Sequence, residues 1–478
     1  MSFDYNSLIP VMPEIVLLCA ASIVLVLDLF LKDHQRILSY SFAQLGLLAT
    51  LLAVGLTGNS DTQIVFDGSY IRDPMSDLLK VSLLIISIGM FVYAKEFLKR
   101  RDLFKGEFLT LGMFAILGMM IMVSSASFLT LYLGLELLAL CMYALVAFDQ
   151  ESNDGPEAAM KYFVLGALAS GILLYGISMI YGATGALDFA TVNQAISAGG
   201  LDQIVLVFGL VFLVIGIAFK FGAVPFHMWV PDVYHGAPTA VTMFVGSVPK
   251  IAAFALAMRI LVDGLGALHT DWQGMLTILA VLSMAIGNVI AIAQSNIKRM
   301  LAYSTISHVG FIFLGILAGT NEGYTAAMFY TIVYAIMALG AFGMIAIMSN
   351  KGFEADQLDD LKGLNQRNPW FAGMMMLLMF SMAGVPPTVG FFAKLFVLDA
   401  VISINMVWLA IVAVAFSVIG AFYYIRVVKI MYFDKPEDEA PFVAGTDTKI
   451  IFSINGLTVL ALGLFPTALM SVCTTAIG

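Results

Sequence analysis

Charge is what this chain has least of: Asp, Glu, Lys and Arg make up 12% of its 478 residues, against 61% apolar residues. That balance excludes a soluble protein, whose surface needs far more polar cover than this chain can supply. Cysteine is scarce too. Cys19, Cys141 and Cys473 lie singly in three separate hydrophobic runs, with no CxxC spacing and no neighbouring histidine. They give no basis for a disulfide, a zinc site or an iron–sulfur cluster. Positive charge is not in excess either. The formal net charge is −9 and comes from acidic loops, which argues against nucleic acid as a partner. No glycine-rich phosphate cradle follows a strand-like segment, and the alternation of a membrane β-barrel is missing. The 29 methionines are scattered through the apolar runs and read as packing or lipid-facing groups rather than copper ligands.

What the chain does contain is a succession of apolar runs of about 20 residues, the length that crosses a hydrocarbon core of about 30 Å as a helix. The sequence reads as an all-α integral membrane protein with about fourteen transmembrane helices. Their starts lie near residues 11, 37, 77, 107, 127, 157, 203, 238, 273, 299, 324, 370, 405 and 450. The first run, Val11 to Leu31, ends in DLFLKDHQR without a small-residue cleavage site, so it is expected to be a retained helix.

The loop charges check this division, because lysine and arginine collect on the cytoplasmic side and should occupy every second loop. With the N-terminus outside, the cytoplasmic positions are Lys32, Arg36, Lys95, Lys99, Arg100, Arg101, Lys105, Lys298, Arg299, Lys351, Lys362, Arg367, Arg426, Lys429, Lys435 and Lys449. Arg72, Lys80 and Arg259 fall toward the other side. Four lysines remain, all inside spans: Lys161, Lys220, Lys250 and Lys394.

Lys220 is the most informative of them. It sits in IVLVFGLVFLVIGIAFKFGAVPFHMWVPDVYHGAP, too far from the end of its span to snorkel, and Pro225 follows five residues later. A lysine in hydrocarbon costs at least about 2.5 kcal/mol, so it ordinarily faces a polar cavity and serves ion or proton movement. The proline withholds an N–H from the carbonyl of Phe221 and opens the helix at the same depth. Burial and a nearby carboxylate act on the lysine's charge in opposite senses, which suits a group that exchanges protons. Glu136, the one acid inside LTLYLGLELLALCMYALVAF, is the expected partner. A static salt bridge is the plainer alternative.

Lys161, about a turn into EAAMKYFVLG, can either join that path or snorkel. Lys250 follows Pro249, and Lys394 lies about two turns beyond a second break at Pro386 and Pro387. With Lys220 they form a row across the midplane. His227 and His308 are candidate neutral relays, or packing histidines. No span carries the carboxylate cluster of a dehydrated sodium site, so protons are the simpler cargo.

A weak internal repeat supports this arrangement. AMKYFVLGALASGILLYG from Ala159 resembles AMFYTIVYAIMALGAFG from Ala327, and AVPFHMW resembles GVPPTVG. The offset, about 160 to 170 residues, equals roughly five spans, and an odd number inverts the second copy across the membrane. Each copy then holds one proline-broken helix.

VPFHMWVPDVYHGAPTAV, SNIKRMLAYSTISHVGF and MAGVPPTVGFFAKL resemble the antiporter-like subunits of respiratory complex I, the proton-translocating NADH:quinone oxidoreductase, over nearly the whole chain. Within that group PDVYHGAP, and a lysine rather than a carboxylate at position 394, resemble the subunit N branch of bacteria. The resemblance implies three N-terminal helices in 1–105 and a first antiporter-like repeat in 106–265. It further implies a second, inverted repeat in 266–434 and a C-terminal helix in 435–478. It also implies that Glu136 modulates charge, that Lys220 is the central lysine, that Lys161 lies between them, and that Lys250 and Lys394 form the onward path. NADH, FMN, iron–sulfur clusters and quinone would belong to partner subunits, leaving this chain without a cofactor. Expected partners are adjacent membrane-arm subunits and phospholipids. The expected location is the bacterial inner membrane, with both termini on the periplasmic side. Two alternatives stand beside this one, a subunit of an Mrp-type cation/proton antiporter and a structural spacer whose charges only hold the bundle together.

Overall fold

The computed structural model describes residues 5–58, 61–436 and 444–478. Helices α1 (Met12–Asp28), α2 (Ile37–Thr57) and α3 (Pro74–Arg100) come first, with a two-stranded hairpin between α2 and α3, β1 (Gln63–Val65) and β2 (Tyr70–Arg72). Then follow α4 (Gly106–Val123), α5 (Phe128–Val146), α6 (Gly155–Thr184), a short α7 (Phe189–Ala198), α8 (Gln203–Phe221), α9 (Trp229–Gly236) and α10 (Thr239–Ala257). The second half contains α11 (His269–Ile292), α12 (Ile297–Leu317), α13 (Asn321–Met348), α14 (Leu364–Arg367), α15 (Pro369–Ala383), α16 (Val389–Ser403) and α17 (Val407–Phe433). The chain closes with α18 (Thr446–Leu464) and α19 (Pro466–Ile477).

Among the described residues, 12 helices are long and apolar enough to cross a membrane. Each expected start falls at or near a helix, but the count of about fourteen is not reached, because α1 at 17 residues and α15 at 15 are too short to be among the 12. Other differences lie at punctuation that hydropathy does not register. Pro466 divides the last run into α18 and α19, α7 lies across a loop, and QIV and YIR pair as a hairpin around the turn at Phe66 to Ser69.

The two halves repeat one packing device. A Cβ on Gly118 of α4 would fall 2.7 Å from the carbonyl oxygen of Gly134 on α5, and one on Gly287 of α11 would fall 2.7 Å from the amide of Ser307 on α12. Helices in lipid gain little from burying apolar surface against each other, so glycines that let backbones touch supply the attraction. The same pair, first and second of its five, is clasped in each half.

Basic side chains gather at one end. Arg101 and Lys298 meet Glu354 in the link after α13, Arg299 meets Asp232 on α9 at 2.9 Å, and Lys351 pairs with Asp102. Lys298 is fully buried and also donates to the carbonyl of Ala237 at 2.8 Å. Burial pushes the Glu354 carboxyl up, but Lys298, the Thr239 hydroxyl and Arg101 together hold it below its usual range. A carboxyl so depressed stabilises the fold above its unfolded pKa and loses that contribution as pH falls through its folded one. Glu354→Gln is therefore expected to cost about 1–2 kcal/mol at neutral pH. In thermal unfolding, its gap from the parent should close as pH falls below about 4.

At the opposite end lie three cations that loop counting placed outside the spans, yet all three are buried. Arg72 donates to Thr57 and the carbonyl of Val54, Lys80 pairs with Glu14 at 2.7 Å and donates to the Tyr70 hydroxyl, and Arg259 pairs with Asp73 and Asp263. Lys80, within α3, is thus a buried ammonium like Lys250, Lys298 and Lys394.

Candidate functional site

The breaks in α8–α9 and α15–α16 have the same construction. Gly222 and Gly384 end the first half-helices with φ of +77° and +87°, a left-handed geometry that glycine adopts without a side-chain clash. The amides of Ala223 and Val385 then return to the carbonyls of Ala218 and Phe380, closing matching caps. The peptide bonds Val224–Pro225 and Pro386–Pro387 are both cis. The glycine, rather than the proline alone, stops each helix, and the proline keeps it from resuming.

A helix that ends inside a membrane leaves carbonyls without partners, and each one there costs several kcal/mol unless something donates to it. Lysines fill that need at both breaks. Lys250, 1% exposed on α10, donates to the carbonyl of Phe221 at 2.7 Å. Lys394 on α16 donates to the carbonyl of Ala383 at 2.9 Å and to Ser417 at 2.9 Å. Phe221 and Ala383 each directly precede the left-handed glycine. Each ammonium also stands over an aromatic ring, Lys250 over Trp229 at 5.7 Å and Lys394 over Phe311 at 5.3 Å. Trp229 donates to a second freed carbonyl, that of Phe219, at 3.1 Å.

Lys220 differs from both. It makes no hydrogen bond or ion pair with another described residue, although Glu136 is within electrostatic reach. The expected close pair is therefore open in this structure. Glu136 lies on α5, where Tyr132 and Tyr143 feel its charge, and its Oε1 is buried without a hydrogen-bond partner, as is the Tyr143 hydroxyl. Buried polar groups are ordinarily partnered, which sets these two apart. Tyr143 packs edge-on against Tyr162 at 4.8 Å, and Tyr162 stacks on Trp229 at 4.7 Å, giving an aromatic wall from Glu136 to Lys250.

Lys161, expected between Glu136 and Lys220, points elsewhere. Its ammonium pairs with Glu157 at 2.8 Å and with Asp232 at 2.9 Å, and its side chain is 43% exposed. It lines a shallow pocket with Asp154, His235 and Gly236. Asp232 also receives Arg299, so one carboxylate joins α6, α9 and the start of α12.

Between the breaks lies a polar cluster that composition and spacing revealed only through His308. Its Nδ1 meets the Tyr330 hydroxyl at 2.7 Å and its Nε2 meets that of Tyr424 at 3.0 Å. Tyr424 in turn meets Ser304, and Thr305 meets Tyr334 at 2.7 Å. Tyr330 stacks on Phe311, the ring under Lys394. The signal was available in the four-residue spacing of Tyr330 and Tyr334, which puts both hydroxyls on one face of α13. His227 sits on the link after the first break, partly buried.

Residues 125–420 match the family described as NADH:quinone oxidoreductase/Mrp antiporter, TM. A relative in Thioalkalivibrio sulfidiphilus (strain HL-EbGR7), NADH-quinone oxidoreductase subunit N, is 59% identical over 478 residues, 100% of both chains. The chain belongs to the subunit N family. Another subunit N, from Methylovorus glucosotrophus (strain SIP3-4), is 57% identical over 99% of this chain and 98% of its own. A chain of respiratory complex I from Thermus thermophilus with bound Aureothin superposes with a TM-score of 0.83 at 28% identity, over 96% of this chain and 98% of that one. The fold extends to the Mrp complex from Dietzia sp. DQ12-45-1b, TM-score 0.87 at 21% identity, over 99% of this chain and 97% of that one. For a subunit N, the fold is thus one shared with a chain of the Mrp complex.

Proposed function

We propose that this chain is a membrane-arm subunit of a proton-translocating NADH:quinone oxidoreductase, and that protons cross through Glu136, Lys161, Lys220, Lys250 and Lys394, with Lys161 leaving Glu157 and Asp232 to take part. The energy would come from quinone reduction in other subunits, which would also hold the FMN, the iron–sulfur clusters and the quinone. The observation that carries this reading is the matched pair of ammonium groups, Lys250 and Lys394, each on the carbonyl before a broken helix's left-handed glycine. A neutral amine donates to a carbonyl as an ammonium does, so each lysine can change charge without leaving its anchor. His308 and its partners Tyr330 and Tyr424 each both donate and accept, so a proton can pass along that cluster by reversing its bonds.

Lys220 is the loading step. Without a fixed partner, its proton is governed by the field of Glu136, and a charge change arriving from a neighbouring subunit would move that proton toward Lys250. The division into 1–105, 106–265, 266–434 and 435–478, and the periplasmic placement of both termini, belong to the same proposal.

Glu136→Gln keeps the shape and removes the charge. It is expected to lower NADH-driven proton uptake into inverted vesicles by on the order of 10-fold per assembled complex, the effect of about one pKa unit at a neighbour. A structural spacer predicts the reverse pattern, fewer assembled complexes with pumping per complex unchanged. An antiporter subunit predicts sodium-dependent exchange without NADH.

A further inference from the structure

The links between α1 and α2 and between α3 and α4 face each other across a cavity of about 570 Å³, lined by Asp33, His34, Arg36, Lys99, Asp102 and Lys105 among others. Its charges do not balance. Asp33 is taken by Arg36 at 2.9 Å, and Asp102 is taken by Lys351. Arg36 donates as well to the carbonyl of Phe104, while its Nε is buried without a partner. Lys99 and Lys105 make no ion pair with a described residue, and Lys99 rests only on the ring of Phe104 at 5.3 Å. Two ammonium groups without an ion pair therefore line one pocket with Arg36.

Two further observations set the kind of ligand. The N-terminus of α2 opens at Arg36 without a side-chain cap, so its first amides and helix dipole favour an anion there. Near the pocket the surface turns apolar, with Leu29 77% and Phe30 80% exposed in the turn after α1, and Ile37 and Leu38 also bare at the start of α2. Basic pockets between transmembrane helices at the interface suit anionic lipid headgroups. We propose that this cavity is a binding site for one anionic phospholipid, its phosphodiester held by Lys99, Lys105 and Arg36 and its acyl chains laid on Phe30, Leu29 and Ile37. The site is separate from the lysine row and does not depend on the proposed proton path.

The test uses the intact complex, purified in mild detergent and weighed by native mass spectrometry after supplementation with phosphatidylglycerol or with phosphatidylcholine. The parent should retain one more phosphatidylglycerol than the Lys99→Gln/Lys105→Gln variant, and the Lys99→Arg/Lys105→Arg variant should keep it. Equal phosphatidylglycerol counts in parent and glutamine variant overturn the proposal. Equal retention of phosphatidylcholine at the site overturns the anionic class, and retention of inorganic phosphate in place of lipid overturns the lipid. Loss of a neighbouring subunit from the glutamine variant, with lipid unchanged, shows that a protein surface covers the pocket and overturns it as well.

Discussion

Lys220→Ala, in complexes that assemble normally, is expected to reduce NADH-driven proton pumping by on the order of 10²-fold, the typical contribution of a positioned proton-transfer group. The reason lies in what Lys220 lacks. Lys250 and Lys394 are tied to carbonyls freed at the broken helices, so removing either also orphans backbone and damages structure. Lys220 holds no carbonyl and no carboxylate, so its loss removes a proton carrier with little structural cost. Proton uptake by inverted vesicles and NADH oxidation, both scaled to assembled complex, measure it. Pumping at the parental rate would sink the proton path proposed here. Lys220→Arg is a sharper companion, since a guanidinium keeps the charge but does not release its proton, and it should be nearly as inactive.

Arg259→Ala should act on stability instead, by about 3–5 kcal/mol, the usual cost of removing one partner from a buried ion pair. Arg259 is 2% exposed and grips Asp73 with both terminal nitrogens at 2.8 and 2.9 Å. It also reaches Asp263 at 2.9 Å and the carbonyl of Val123 at 3.1 and 3.2 Å. The side chain therefore fastens the end of α4, the cap of α3 and the helical turn Met258–Gly264 into one joint. Truncation leaves a carboxylate and a carbonyl buried without their donor. Lysine cannot replace the planar fork, so Arg259→Lys should recover only part of the loss. The readout is the amount of this chain in purified complex and its thermal unfolding. A variant as abundant and as stable as the parent would show that the joint is not needed.

Much of this molecule is legible in one dimension because lipid is an undemanding reader. It requires about 20 apolar residues per crossing and punishes any charge inside one. Runs of that length therefore announce helices, and Lys220, Lys250 and Lys394 stand out by cost alone. Pro225 and Pro386 announce the breaks through the N–H they lack. Arg259 and Lys80 are legible as charges toward the non-cytoplasmic side, but their burial is not, because loop counting registers only distance along the chain. Their partners, Asp73 and Glu14, come from segments that hydropathy treats as unremarkable ends.

Sequence by itself determined the helices, the two breaks and the row of costly lysines, since each follows from local composition set against a hydrocarbon solvent. Tertiary structure alone decided what those lysines do. Lys250 and Lys394 became the caps of broken helices, Lys161 turned to Asp232 and Glu157, Lys220 was left with only the field of Glu136, and His308 gained Tyr330 and Tyr424. Those pairings depend on which helix faces meet. That is fixed by close glycine contacts such as Gly118 on Gly134 and Gly287 on Ser307, between residues whose spacing along the chain carries no mark of the encounter.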